Sequence, residues 1–272
     1  MTPRFLLPLA AAAAVAVAGC GSSKSEVKVS TMPSGPVPQA KEPVSGLVKR
    51  MAAVQAAIQA GKCTPVNDFN KQSGFALFCN AQGKTAYKGF KAIGTEAFGP
   101  GAVIEYTDAE VQKTPKQTPT PGVQTHGKAN TGVYTAALDQ NGHYQLTGPV
   151  SPIISGSVIG TKPVNWSGAD QNAVTFLKSI RDRDCATFFK YSITPRSLSQ
   201  KAACKQGLDQ AYAQLHSQLT AGKKVALFRV GGNAQFYFYG LRTGSQFRTL
   251  VVAKNHPPGP PFLAFGTFRA TR

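Results

Sequence analysis

Apolar positions along the chain recur with two different periods. In three stretches they lie three or four residues apart, which places one apolar stripe on a helix. These positions are Leu47, Met51, Val54 and Ile58; Ala173, Phe176, Leu177 and Ile180; and Leu208, Ala211, Tyr212, Leu215 and Leu219. After Lys224 the period changes to two, which is typical of strands. The pattern predicts helices followed by strands.

The second half of the chain carries the clearer strand pattern. VALFRV and AQFYFYGL flank Gly231-Gly232-Asn233, a hairpin signal, and QFRTLVVAK and FLAFGTFRA complete about four antiparallel strands. The first half has the same order with weaker strands, AVIEYTDAE, VYTAAL and HYQLTG, and a Thr/Pro-rich insertion at 112–132 replaces one hairpin. Each half predicts an α+β fold with helices before an antiparallel sheet.

The two halves also share short sequence matches in the same order. IQAGKC (Ile58 to Cys63) corresponds to IRDRDC (Ile180 to Cys185) at an offset of 122 residues. The same offset carries VIEY at Val103 onto VALF at Val225, and TAALDQN resembles TLVVAKN further on. Such self-similarity predicts two homologous domains. We expect them at 44–148 and 164–272, joined by a linker at 149–163.

Helices followed by a strongly curved antiparallel sheet resemble the nuclear-transport-factor-two-like superfamily. The resemblance covers Ser45 to Gly148 and Val164 to Arg272 and depends on element order and domain length. It implies a cone-shaped fold with an apolar pocket between sheet and helices, used by ketosteroid isomerases, dehydratases and many non-catalytic binding domains. A cystatin-like arrangement of a helix on a sheet is the alternative, and fold alone does not decide the function.

The N-terminus has the three parts of a secretory signal peptide. Arg4 supplies a positive charge, Phe5 to Val17 form a 13-residue apolar run, and small residues precede Cys20. The run is shorter than the ~20 residues of a membrane-spanning helix. Val17-Ala18-Gly19-Cys20 resembles a bacterial lipobox, which implies cleavage of residues 1–19 and acylation of Cys20. We therefore expect a lipoprotein at the extracytoplasmic face of a bacterial cell membrane.

The segment that follows Cys20 has the composition of a tether. Residues 21–43 contain five serines, four prolines and no aromatic residue. Such a segment buries too little apolar surface to offset its ordering entropy. The prediction for 20–43 is a lipidated N-terminus and a flexible linker to the membrane.

Four cysteines remain once Cys20 is assigned to acylation. An exported protein favours disulfides, and Cys63, Cys79, Cys185 and Cys204 allow three pairings. The internal repeat selects Cys63–Cys79 and Cys185–Cys204, one bridge in each half. Zinc is disfavoured because the sequence has no Cys-x-x-Cys pair and no histidine at ligand spacing. No metal and no cofactor is predicted.

Positive charge is concentrated in the second half. The chain has a formal net charge of +18, and residues 149–272 hold 16 Lys or Arg against 4 Asp or Glu. We expect a basic face that attracts anionic partners. Its candidate members are the strand residues Arg229, Arg242, Arg248, Lys254 and Arg269. Because export argues against nucleic acid, the expected partners are the membrane, an anionic envelope polymer or a protein.

Residues suited to catalysis are scattered along the sequence. The histidines His126, His143, His216 and His256 lie in no nucleophile motif. Asp182, Asp184 and Glu105 are the carboxylates considered for isomerase chemistry, which needs an acid in an apolar cavity. Aromatic residues are dense in the second half and are expected to be mostly core: Phe228, Phe236, Tyr237, Phe238, Tyr239, Phe247, Phe262, Phe265 and Phe268.

These observations favour a membrane-anchored binding or scaffold protein without catalytic activity. Its partner is expected to be a protein or an anionic envelope polymer, bound mainly by the second domain. The alternatives are a carrier of a small apolar ligand in a cone-shaped pocket and, last, an enzyme of the isomerase or dehydratase type.

Overall fold

A computed structural model describes ten ranges of the chain. They are 26–31, 35–60, 90–108, 130–139, 141–150, 157–192, 199–219, 225–243, 246–255 and 259–266. The proposed leader, Cys20, the pair Cys63 and Cys79, the Thr/Pro-rich insertion up to residue 129, and Arg269 lie outside them. Within the described ranges no helix is both long and apolar enough to cross a bilayer.

The first half consists of one described helix and four strands. Helix α1 (Val44–Gln59) precedes β2 (Phe90–Phe98), β3 (Gly101–Asp108), β4 (Asn130–Leu138) and β5 (Tyr144–Val150). The four strands form one antiparallel sheet in the order β2-β3-β4-β5, which we call sheet B. Leu47 and Met51 of α1 are buried against the sheet residues Ile104 and Tyr144, as the helical spacing predicts.

The second half places its helices before its strands. Helix α2 (Trp166–Asp182) is followed by α3 (Cys185–Tyr191), a short α4 (Gln200–Ala203), a π-helical turn at Cys204–Leu208, and α5 (Asp209–Leu219). Strands β6 (Val225–Gly232), β7 (Phe236–Thr243), β8 (Gln246–Lys254) and β9 (Phe262–Gly266) complete it. The α+β class is confirmed: helices pack on curved sheets.

Sheet A contains a fifth strand that comes from the N-terminal segment. Strand β1 (Val27–Ser30) pairs in parallel with β6, with Val27 opposite Val225, and the sheet order is β1-β6-β7-β8-β9. Val27 is only 4% exposed and belongs to the core under α2 and α5. These four residues differ from the prediction of an unstructured tether, because burial of alternate valines offsets the entropy of ordering them.

The two sheets face each other, and helices cover their outer faces. Phe236, Phe238 and Val251 of sheet A form a common core with Val103 and Val133 of sheet B. Residues that alternate with them, such as Tyr239 and Val252, pack against α2 and α5 instead, because successive side chains of a strand point to opposite faces. The described layers are therefore α1, sheet B, sheet A and the α2–α5 helices.

A glycine allows the close approach of the sheets. A Cβ at Gly101 in sheet B would lie 2.2 Å from Cδ1 of Phe238 in sheet A. The ring of Phe238 also stacks on Phe98 at a centroid distance of 5.3 Å. The two sheets are thus in close apolar contact, with the Phe238 ring packed against Gly101.

Candidate functional site

A disulfide staples the helices of the second half. Cys185 and Cys204 are bonded, with their Cα atoms 5.6 Å apart, which confirms one of the two predicted bridges. Helix α2 ends at Asp182, and its C-cap Arg183 has a left-handed backbone with φ 53°. Helix α3 then begins at Cys185 with Asp184 as its N-cap, so the chain turns sharply just before the disulfide. The bridge ties this turn to the π-helical turn.

An open cleft of about 580 Å³ lies beside the disulfide. We call it the basic cleft. Its charged lining consists of Arg183, Lys201, Lys205 and Asp209, and both sulfur-bearing residues also line it. Three cations face one carboxylate in a small region of the surface, and the bridge restrains the two turns that carry them. Such a surface concentrates anions.

The cations of the basic cleft differ in their partners. Arg183 donates to the Asp209 carboxylate at 2.6 Å, and its guanidinium lies 4.9 Å from the centre of the Tyr212 ring. Lys201 and Lys205 are exposed and form no ion pair with any carboxylate in the described part of the chain. The two ammonium groups are therefore available to donate hydrogen bonds to an anion in the cleft.

The π-helical turn carries Lys205, and Lys201 lies in α4 just before it. Residues 204–208 place one extra residue in the turn between α4 and α5, and π turns frequently occur at functional sites. Gly207 in this turn packs on the Phe188 ring, where a Cβ would lie 3.1 Å from it. The turn is thus held by two contacts, the packing of Gly207 on Phe188 and the disulfide at Cys204.

The members of the predicted basic face lie on two faces of sheet A. Arg248 is opposite Leu241, a residue of the core under the helices, and is itself buried. Arg242, one position along, points to the other face, and its Nη2 donates to the carbonyl oxygen of Pro36 at 2.5 Å. Lys254 is exposed. Burial lowers the pKa of the Arg248 guanidinium. Their role in ligand binding stays a prediction.

Arg229 belongs to a separate polar cluster at the start of α2. Its guanidinium pairs with the Asp170 carboxylate and lies 5.1 Å from the Trp166 ring centre. The Tyr239 hydroxyl donates to Asp170 at 2.9 Å. The hydrogen bonds to Asp170 raise the pKa of Arg229, and burial strongly raises the pKa of Tyr239. Both groups keep their protons near neutral pH. Their contacts with Asp170 fix α2 on the sheet.

The carboxylates considered for catalysis have structural partners. Asp184 accepts from the backbone N–H of Thr187 at 3.0 Å and from its hydroxyl at 2.6 Å, and these bonds lower the pKa of the Asp184 carboxyl. Asp182 pairs with Arg181. Glu105 is buried and accepts from the linker residues Ser157, Val158 and Ile159.

The interior between the helices and sheet A is filled by side chains. Tyr237, Tyr239, Leu250 and Val252 are no more than 1% exposed, and they pack against α2 and α5. Of the other dense aromatics, Phe236 and Phe238 fill the contact between the sheets, and Phe228 pairs with Phe247. Within the described residues, this leaves the aromatic side chains as core. Phe268 and the side chain of Phe265 lie outside the description.

The basic cleft was not identified from the sequence. Its signal is the segment KAACK, where Lys201 and Lys205 are four residues apart and flank Cys204. Spacing of four places both side chains on one helical face. Arg183 precedes Lys201 by 18 positions, and the fold brings it beside the lysines next to the disulfide. The three cations meet once the predicted bridge is drawn.

Comparison with known proteins leaves the family open. No protein-family model matches the chain, and no curated protein matches it. Among solved structures, it is similar to an "Ntf2 like protein involved in plasmid conjugation" at 13% identity, with 84% of this chain and 98% of that chain covered. The TM-score of that superposition is 0.18, which is too low to assign the fold.

Proposed function

We propose that the chain is a lipid-anchored protein of the bacterial envelope that binds an anionic polymer without catalysis. The anchor is the acylated Cys20 of the lipobox-like stretch, and the binding site is the basic cleft. The observation that carries the binding role is the pair Lys201 and Lys205, exposed beside Arg183 on turns joined by a disulfide.

The cleft suits an extended polyanion better than a small enclosed ligand. It is open, and its cations lie on two different turns, so a chain with several anionic groups contacts them in succession. Fixed cations lose little conformational entropy on binding, since the disulfide already orders the backbone that carries them. Phosphate-bearing and carboxylate-bearing envelope polymers share this chemistry.

The organisation we propose is two related α+β units of the nuclear-transport-factor-two-like kind. Each half places at least one helix before four antiparallel strands, and each sheet has a helix-covered outer face. In this proposal the first unit supports the second through the contact between their sheets. The second unit carries the binding site.

The test measures binding of the mature protein to soluble polyanions. Inorganic polyphosphate represents phosphate polymers, and alginate represents carboxylate polymers. We expect binding that weakens as salt rises, because exposed charges are screened beyond about 8 Å at physiological ionic strength. The double variant Lys201→Glu/Lys205→Glu should reduce the affinity at least tenfold, since about 1.4 kcal/mol of lost attraction corresponds to a factor of 10.

The matched control is Lys49→Glu/Lys162→Glu, which makes the same charge change at two exposed lysines outside the cleft. It should leave most of the affinity intact. Equal loss in both variants would assign binding to net charge and remove the cleft from the proposal. Binding of neither polymer by wild-type protein would overturn the polymer as partner and leave a protein partner to be sought.

A further inference from the structure

The N-terminal segment is part of the fold almost from the point of acylation. Strand β1 begins at Val27, whose side chain lies in the core of the second half. The backbone N–H of Val225 donates to the carbonyl oxygen of Glu26 at 2.9 Å. Pairing therefore starts at residue 26, and only residues 21–25 separate it from Cys20.

The chain stays on the molecular surface beyond β1. Gly35 lies against the Arg242 side chain, and the Arg242 guanidinium donates to the carbonyl oxygen of Pro36. Further on, the Lys41 backbone N–H donates to the carbonyl oxygen of Gly142 at 2.9 Å. Described residues between β1 and α1 are thus held at two places, one on each sheet.

These contacts shorten the reach of the proposed lipid anchor. Seven residue steps separate Cys20 from Val27, which span at most about 25 Å when fully extended and about 15 Å on average as a flexible coil. A free tether up to Val44 would reach about 80 Å when extended. The start of β1 must therefore lie close to the bilayer that holds the acyl chains.

We infer that one end of sheet A faces the lipid headgroups and that the opposite end points away from the membrane. The membrane-facing end contains the start of β1, the start of β6 and the end of β7, which the strand register brings together. Its described charged members are Glu26, Lys28 and Arg242. The inference rests on the acylation of Cys20 in the proposed function and goes beyond it by giving the protein an orientation.

The far end of the sheet is marked by the turn between β6 and β7. The backbone N–H of Ala234 in this turn donates to the Thr161 hydroxyl at 3.0 Å. The neighbouring Lys162 is exposed, and so is Lys28, whose side chain is 63% exposed beside Glu26. The two lysines thus provide matched positions at opposite ends of one sheet.

The test places a small dye at Lys28 or at Lys162 in the acylated full-length chain. An azide-bearing residue introduced at each position carries the dye, which leaves the cysteines untouched. The protein is reconstituted in vesicles of phosphatidylethanolamine and phosphatidylglycerol that contain a headgroup-nitroxide lipid, a short-range quencher. We expect several-fold stronger quenching at Lys28 than at Lys162.

The control lengthens the anchor without changing any described residue. A Gly/Ser insertion of about 20 residues between Ser23 and Lys24 raises the average reach from about 15 Å to about 29 Å, and it should abolish the difference between the two dyes. Equal quenching in the natural chain, with acylation verified by mass spectrometry, would overturn the orientation and leave the anchor in place. Absence of an acyl group on Cys20 would instead overturn the anchoring itself.

Discussion

A buried carboxylate is stable only where donors surround it, and the linker supplies them to Glu105. The Ser157 hydroxyl is 2.9 and 2.8 Å from the two carboxylate oxygens, and the Ile159 N–H donates at 3.0 Å. The Val158 N–H adds a further bond. Glu96 accepts from Gly160 at 3.2 Å nearby. The two acids thereby fix residues 157–160 on sheet B.

Replacing Glu105 by Gln should destabilise the protein by about 1–3 kcal/mol, because hydrogen bonds to a charged acceptor become weaker bonds to a neutral one and an amide donor enters a donor-rich site. Urea denaturation measures the change. Glu96→Gln is the control and should cost about 0.5 kcal/mol, since Glu96 is partly exposed and accepts a single hydrogen bond from the described residues. Equal losses of unfolding free energy in the two variants would contradict the stabilising role of the hydrogen bonds to Glu105.

The sequence identified Glu105 as a candidate site residue but did not predict that it holds the linker. Glu105 was a candidate because isomerase chemistry needs a carboxylate and few acids are available in the sequence. Its partners are about 50 residues away in a linker with no motif, and no local pattern predicts such a contact. Asp184 is different, because an acid before a helical pattern is a recognisable N-cap signal.

At the scale of elements, the disulfide and the π-helical turn form one rigid unit under the basic cleft. The bridge closes a segment whose ends are separated by 19 positions. The position of Lys205 relative to Arg183 depends on this restraint.

Cys185→Ser/Cys204→Ser should lower the free energy of unfolding by about 3 kcal/mol, the chain-entropy value for a loop of this length. Urea denaturation measures it, and the same variant should also bind polyphosphate more weakly. The companion variant Cys63→Ser/Cys79→Ser tests the second predicted bridge. A reductant breaks every disulfide in the protein. If it lowers the free energy of unfolding of the natural protein only as much as Cys185→Ser/Cys204→Ser does, the second bridge is contradicted.

Strand prediction succeeded where alternation was undisturbed. QFRTLVVAK matches β8 residue for residue, and the hairpin of β6 and β7 lies where Gly231-Gly232-Asn233 placed its turn. Strand β2 was missed because Gly94 interrupts its pattern. Gly94 lies at a register irregularity and leaves room for the Ile159 side chain, 3.1 Å from the position of an added Cβ. The requirement for glycine at position 94 comes from a contact with a distant residue, so the local sequence pattern does not indicate it.

Across the whole molecule, the contact between the sheets depends on small residues opposite large ones. Gly101 faces Phe238, and Gly231 faces Phe98, where a Cβ would lie 3.0 Å from the Phe98 Cβ. The two Phe rings stack on each other. At each pair, a phenylalanine of one sheet thus occupies the space that the glycine of the other sheet leaves open.

Gly101→Ala should destabilise the protein by about 1–3 kcal/mol, because the added methyl group overlaps the buried Phe238 ring. Combining it with Phe238→Leu should recover part of that loss. The coupling in a double-mutant cycle is expected to be about 0.5–3 kcal/mol, measured by thermal or urea unfolding. Additive single effects would show that the methyl group does not meet the ring.

The repeat that predicted two units is only partly reflected in the strands. TAALDQN and TLVVAKN lie in β4 and β8, the third antiparallel strand of each half. VIEY and VALF, by contrast, lie in β3 and β6, the second strand of one half and the first of the other. The order of elements was therefore a better guide than the residue offset. Nothing in the sequence indicated that β1 joins the distant half.

The pairing of β1 with β6 also sets when the protein can finish folding. Val27 and Val225 lie about 200 positions apart, and closing so long a loop before any contact forms is entropically costly and slow. In the export that we propose, the first-emerging strand would have no partner until nearly the whole polypeptide had been translocated. Until then the β6 edge stays open to other chains, so refolding yield should fall as protein concentration rises.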